Sequence, residues 1–115
     1  MNVETIRSIC LGFPGATEAI KWGNDLVFSV GDKMFSATSF DDPFKCSFKV
    51  PDELFDEIGS REGFMPAPYL ARAKWVLVSN EARLNKEEWT HFLKGSYDLV
   101  VSRLTKKQRS QLKIE

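Results

Sequence analysis

Leu26-Val27-Phe28-Ser29-Val30-Gly31-Asp32-Lys33-Met34-Phe35 is the stretch on which the fold turns. Leu26, Phe28 and Val30 alternate with Val27 and Ser29, the period of two that predicts a strand. Gly31-Asp32 then supplies two residues that tolerate the positive φ angles of a two-residue hairpin turn, so the chain is expected to return as a second strand over 33–40. Upstream, 17–22 reads as a weaker strand ending at Gly23-Asn24. Downstream, Asp41-Asp42-Pro43 marks a turn, and Phe44, Cys46, Phe48 and Val50 then point one way while Lys45, Ser47 and Lys49 point the other. That strand should have one core face and one basic face.

Helical signals flank this run of strands. Asn2 is a candidate cap for a helix over 3–11, with Val3, Ile6 and Cys10 at helical spacing before Gly12 and Pro14-Gly15 interrupt. Pro51-Asp52-Glu53 opens a second helix whose acids suit the amide dipole and whose apolar side is Leu54, Phe55 and Ile58. Residues 60–68 contain Gly63, Pro66 and Pro68 and read as an ordered loop, followed by a strand over 75–79. Asn85 caps the last long helix, with Trp89, Phe92, Leu93, Tyr97, Val100, Val101 and Leu104 as its stripe, and Thr105 can cap a final basic turn. The order is helix, three or more strands, helix, one or two strands, helix. Three helices of this size cover one sheet face, so a single two-layer α+β domain over residues 1–115 is expected, its sheet antiparallel and of about five strands.

The 115 residues carry 16 basic and 16 acidic side chains, but not evenly. Residues 1–59 hold 5 basic and 10 acidic groups, 60–93 hold 5 and 4, and 94–115 hold 6 and 2, giving −5, +1 and +4. A basic C-terminal fifth permits a local anionic partner that zero net charge does not suggest, or it simply solvates a terminal helix. No apolar run reaches the roughly 20 residues a bilayer needs, and Glu4 and Arg7 break the N-terminal segment, so a cytoplasmic protein is expected.

Several chemistries lack their residues. Cys10 and Cys46, 36 positions apart, and the single His91 cannot make a zinc site, and each cysteine falls on an apolar stripe. Neither phosphate-loop glycine pattern occurs. Asp41-Asp42 fits a turn, and Asp52, Glu53, Asp56 and Glu57 fit a helix start, rather than paired catalytic carboxylates. No catalytic residue, metal or cofactor is expected.

Two constellations remain. Lys45 and Lys49 share a strand face, with Lys33 on a neighbour, where ammonium groups can meet phosphates or can merely keep a sheet face soluble. Tyr69-Leu70-Ala71-Arg72-Ala73-Lys74-Trp75 interleaves aromatics with cations, as stacking and phosphate contact together require. Alternatively its aromatics anchor the loop while Arg72 and Lys74 reach solvent.

Four stretches stand together in this order: Phe13-Pro14-Gly15-Ala16-Thr17-Glu18, the Leu26 to Phe35 hairpin, Pro68-Tyr69 through Trp75, and Ser96-Tyr97-Asp98-Leu99-Val100-Val101. In them the chain resembles the MmcQ/YjbR family of small bacterial proteins, which carry a DNA-binding label. The likeness implies an α-β(3)-α-β(2)-α two-layer fold and a double-wing nucleic-acid-binding mode using the sheet side. Many members have Pro-Gly-Tyr-His where this chain has Ala67-Pro68-Tyr69-Leu70, so no role of that histidine transfers, whereas Tyr69, Lys74 and Trp75 match. The same architecture resembles secretion chaperones. The sequence thus leads to a non-enzymatic binding domain contacting DNA phosphates through Lys45, Lys49, Arg72 and Lys74 with Tyr69 beside them. The alternative is a protein-interaction or chaperone-like module using Phe64, Met65 and Tyr69.

Overall fold

The computed structural model describes residues 2–41, 43–79 and 84–114. Asp42 of the expected Asp41-Asp42-Pro43 turn lies outside them. Helix α1 (Val3–Leu11) starts at Asn2, whose side chain accepts a hydrogen bond from the Thr5 amide. Four strands follow: β1 (Thr17–Lys21), β2 (Asp25–Val30), β3 (Lys33–Ser39) and β4 (Cys46–Lys49). Gly31 and Asp32 join β2 to β3 with φ of 58° and 65°, the mirror-image turn that two-residue hairpins favour. A 3-10 turn (Asp52–Leu54) leads into α2 (Phe55–Gly59), then come β5 (Phe64–Pro66), a second 3-10 turn (Ala71–Ala73), β6 (Trp75–Val78), α3 (Lys86–Val101) and α4 (Lys106–Gln111).

The sheet is antiparallel throughout, in the order β1-β2-β3-β4-β6-β5. It has six strands rather than about five, because part of the segment read as a loop pairs with β6, Phe64 opposite Val78 and Pro66 opposite Val76. Three residues are too few to show alternation, and Pro66 is tolerated because β5 is an edge strand that needs no second row of donors.

Helices and one sheet face enclose the core. Ile6 and Cys10 of α1, and Trp89, Leu93, Tyr97 and Val100 of α3, pack with Phe28, Phe35, Cys46, Phe48, Val76 and Val78 from the sheet. Aromatic contacts order this layer: the Tyr97 ring meets Phe13 at 5.0 Å and Phe35 edge-on at 5.5 Å, and Phe48 stacks on Phe92 at 5.3 Å. Where the β3 and β4 pairing ends at Ser36 and Phe48, the buried Ser96 hydroxyl takes over. It donates to the Phe35 carbonyl at 2.6 Å and accepts from the Lys49 amide at 2.9 Å, which ties α3 to both strands.

A cationic turn at one end of the sheet

Residues 67–75 fold into a closed turn stabilised by its own backbone. The Leu70 carbonyl accepts from the amides of Ala73 and Trp75, the Ala71 carbonyl accepts from Lys74, and Ala67 donates to Trp75. The path requires left-handed backbone at two residues with side chains, Tyr69 at φ 66° and Lys74 at φ 64°. Such a conformation costs a residue with a side chain roughly 1–2 kcal/mol, and packing on either side must offset it. Its result is that Tyr69 projects fully into solvent, at 103% relative exposure. Arg72 is exposed beside it, while the Lys74 ammonium lies 5.1 Å over the Phe55 ring.

Lys49 supports this turn from beneath. As the register partner of Trp75 it sits at the end of β4, and its ammonium donates to the Ala73 carbonyl. The expected solvated basic face is therefore corrected: Lys49 is only 9% exposed, because the turn closes over it. Burial is the main cause that pulls its pKa below the ordinary lysine range, the positive charges of Arg103 and Lys74 add to it, and Asp52 opposes them. Arg103 is a member of this cluster that sequence reading missed. It stands far from residues 69–74 in the chain, and only the docking of α3 on the sheet brings it near. Among the described residues, none of Lys49, Arg72, Lys74 and Arg103 is in an ion pair.

Lys45 is elsewhere. It lies four residues before Lys49, just ahead of β4, about 13 Å away at roughly 3.3 Å per residue. There it lines a hollow of about 270 Å3 together with Asp25 and Asp41, so one cation faces two carboxylates. The structure thus brings Lys49, Tyr69, Arg72 and Lys74 together and leaves Lys45 out.

Other features offer less chemistry. A groove of about 620 Å3 between α2 and α3 includes Arg61, Glu88 and His91. Arg61 is engaged by Glu57 at 3.0 Å, and Glu88 closes the capping box with Asn85. His91 is exposed on α3. Both cysteines are free and buried. Among the described residues no three His, Cys, Asp or Glu side chains are placed to hold a metal ion, and no helix is long and apolar enough to cross a membrane. Of the apolar groups expected on a partner surface, Met65 is 46% exposed, whereas Phe64 is half-buried against Phe92. Larger exposed apolar groups cluster at the opposite end of β1 to β3: Ile20, Trp22 and Phe40.

Fold and site define a two-layer α+β protein with an aromatic-tipped cationic turn at one end of its sheet. The chain belongs to the YjbR family, whose model matches residues 11–99. No curated protein matches it. Among solved structures it is similar to protein DR2400 of Deinococcus radiodurans, described as a DUF419 domain, with 29% identity and a TM-score of 0.88 over 99% of this chain and 89% of that one. It also shares its fold with a protein from Pseudomonas syringae, at 17% identity and a TM-score of 0.72, covering 86% of this chain and 98% of the other.

Proposed function

We propose that this is a non-enzymatic cytoplasmic domain that binds DNA through phosphate contacts at the 69–74 turn. The observation that carries the reading is Tyr69, an aromatic side chain held wholly in solvent on left-handed backbone and flanked by cations that are in no ion pair among the described residues. An exposed ring offers a stacking surface for an unpaired base, and Arg72, Lys74 and Arg103 offer charge for the flanking phosphates. Buried Lys49 adds to the local potential without needing to touch the ligand. Lysine and arginine contacts to phosphate carry little base preference, so binding should be weakly sequence-dependent and strongly salt-dependent.

Fluorescence anisotropy of labelled single- and double-stranded DNA at two salt concentrations tests this. Tyr69→Asn suits the left-handed backbone and removes the ring; together with Arg72→Ala it should weaken single-strand binding at least about tenfold, the cost of one lost stacking contact and one lost charge. Lys45→Ala should leave affinity unchanged. Equal loss from Lys45→Ala, or no binding at low salt, overturns the assignment. The exposed Ile20, Trp22 and Phe40 favour a second reading, a protein-interaction or chaperone-like module, whose binding would be insensitive to salt and lost in Trp22→Asn.

A further inference from the structure

Helix α4 and the residues after it take no part in the site just described, yet their side chains are sorted by face. Leu112 and Ile114 turn inward: a Cβ placed on Gly15 would lie 3.3 Å from Leu112 Cβ and 3.2 Å from Ile114 Cδ1. Lys106, Arg109 and Lys113 turn outward and, with Ser110 and the edge of Ile114, line an open hollow of about 590 Å3 to which no carboxylate contributes among the described residues. None of these three cations is in an ion pair among the described residues.

The end of α4 adds an independent sign. Ile114 donates to the Arg109 carbonyl at 2.8 Å and Lys113 to that of Ser110 at 3.1 Å, closing the helix with Lys113 at φ 60°. Glycine is the unstrained residue at that position, so the helix closes here with a cation at a conformational cost. Arg103 joins the two regions. It is close enough to act electrostatically on Lys49, and it stands just before Leu104, which is buried, and Thr105, which caps α4.

We infer that Lys106, Arg109 and Lys113 form a second phosphate-contact surface, onto which a DNA strand engaged at the 69–74 turn continues by way of Arg103. This rests on the reading of the turn given above. A nucleic acid is favoured over an anionic membrane because a helix lying in a bilayer surface needs a free apolar face, and Leu112 and Ile114 are already packed against the domain.

The test compares labelled single strands of about 6 and about 25 nucleotides, lengths within and beyond one typical single-strand site, on the whole protein. A Lys106→Gln/Arg109→Gln/Lys113→Asn variant should keep its affinity for the short strand and lose about tenfold for the long one. Its salt dependence should become shallower by about 2 in log–log slope, three contacts at roughly 0.7 each. Tyr69→Asn/Arg72→Ala, measured in parallel, should weaken both lengths. Unchanged long-strand binding in the triple variant overturns the second surface while leaving the turn assignment standing. Intact binding in the turn variant overturns the turn and the continuous path together. Anionic phospholipid vesicles that bind the protein, and lose it with the triple variant, also overturn the inference. Amide shifts of the unmodified protein guard against a misfolded variant: perturbation of 103–114 by the long strand alone supports the path, and its absence refutes it.

Discussion

Ser96 shows how much one hydroxyl can hold. It stands between the Phe35 carbonyl and the Lys49 amide, both deep in the protein. Ser96→Ala leaves a buried donor and a buried acceptor without partners, at about 1–3 kcal/mol each. Urea unfolding should therefore show a loss of at least about 2 kcal/mol, well above an ordinary serine truncation. The two thiols make a pH-dependent counterpart. Burial pushes Cys46 up to about 12 and holds Cys10 well above its ordinary value of 9.0. A raised folded pKa means that stability is complete below the unfolded value and is lost as pH rises above it. Each thiol should remove about 1.4 kcal/mol per pH unit above 9, and a Cys10→Ala/Cys46→Ala variant should lose that alkaline slope in urea titrations at pH 8 to 10.5. At this scale the sequence showed which residues are apolar but not the burial of Lys49. Alternation places a side chain on a sheet face, and only the later arrival of residues 67–75 decides whether that face meets water.

The elements were legible in proportion to their length and the chemistry at their ends. Helix α3 has sixteen residues with an apolar stripe along them and a capping box, the Asn85 side chain accepting from the Glu88 amide while the Glu88 carboxylate accepts from the Asn85 amide. The same reciprocal pair, Thr105 with Gln108, opens α4. Asn85→Ala should cost about 1 kcal/mol, measurable as a lowered thermal midpoint, with little change in the rest of the domain. Strand β5 escaped notice for the opposite reason. Its three residues sit among glycines and prolines, and nothing local distinguishes a short edge pairing from a tethered loop. The consequence for function is direct, since β5 and β6 are the two strands that bracket the 69–74 turn and set its height above Lys49.

Across the whole molecule, zero net charge conceals a division by place. Asp25 and Asp41 share a hollow with Lys45 at one end of the sheet, while Lys49, Arg72, Lys74, Arg103 and the outer face of α4 carry positive charge toward the other. Tyr69, Arg72 and Lys74 could be read as a group because they are neighbours in the chain. Arg103 could not, because its membership depends on where α3 ends.

Strand order also fixes a sequence of events in time. Strands β1 to β4 succeed one another through short turns, whereas β6 must find β4 after residues 50–74 intervene, and β5 has no strand to pair with until β6 is in place. Local pairings form before distant ones because the loop closed is shorter, so the meander should nucleate folding and the β6/β5 pair should zip on after the barrier. In stopped-flow chevrons, Val30→Ala should slow refolding, while Val76→Ala should chiefly accelerate unfolding. The last part to assemble would then be the cationic turn, leaving the nascent chain without its charged surface until the rest of the domain has committed to its shape.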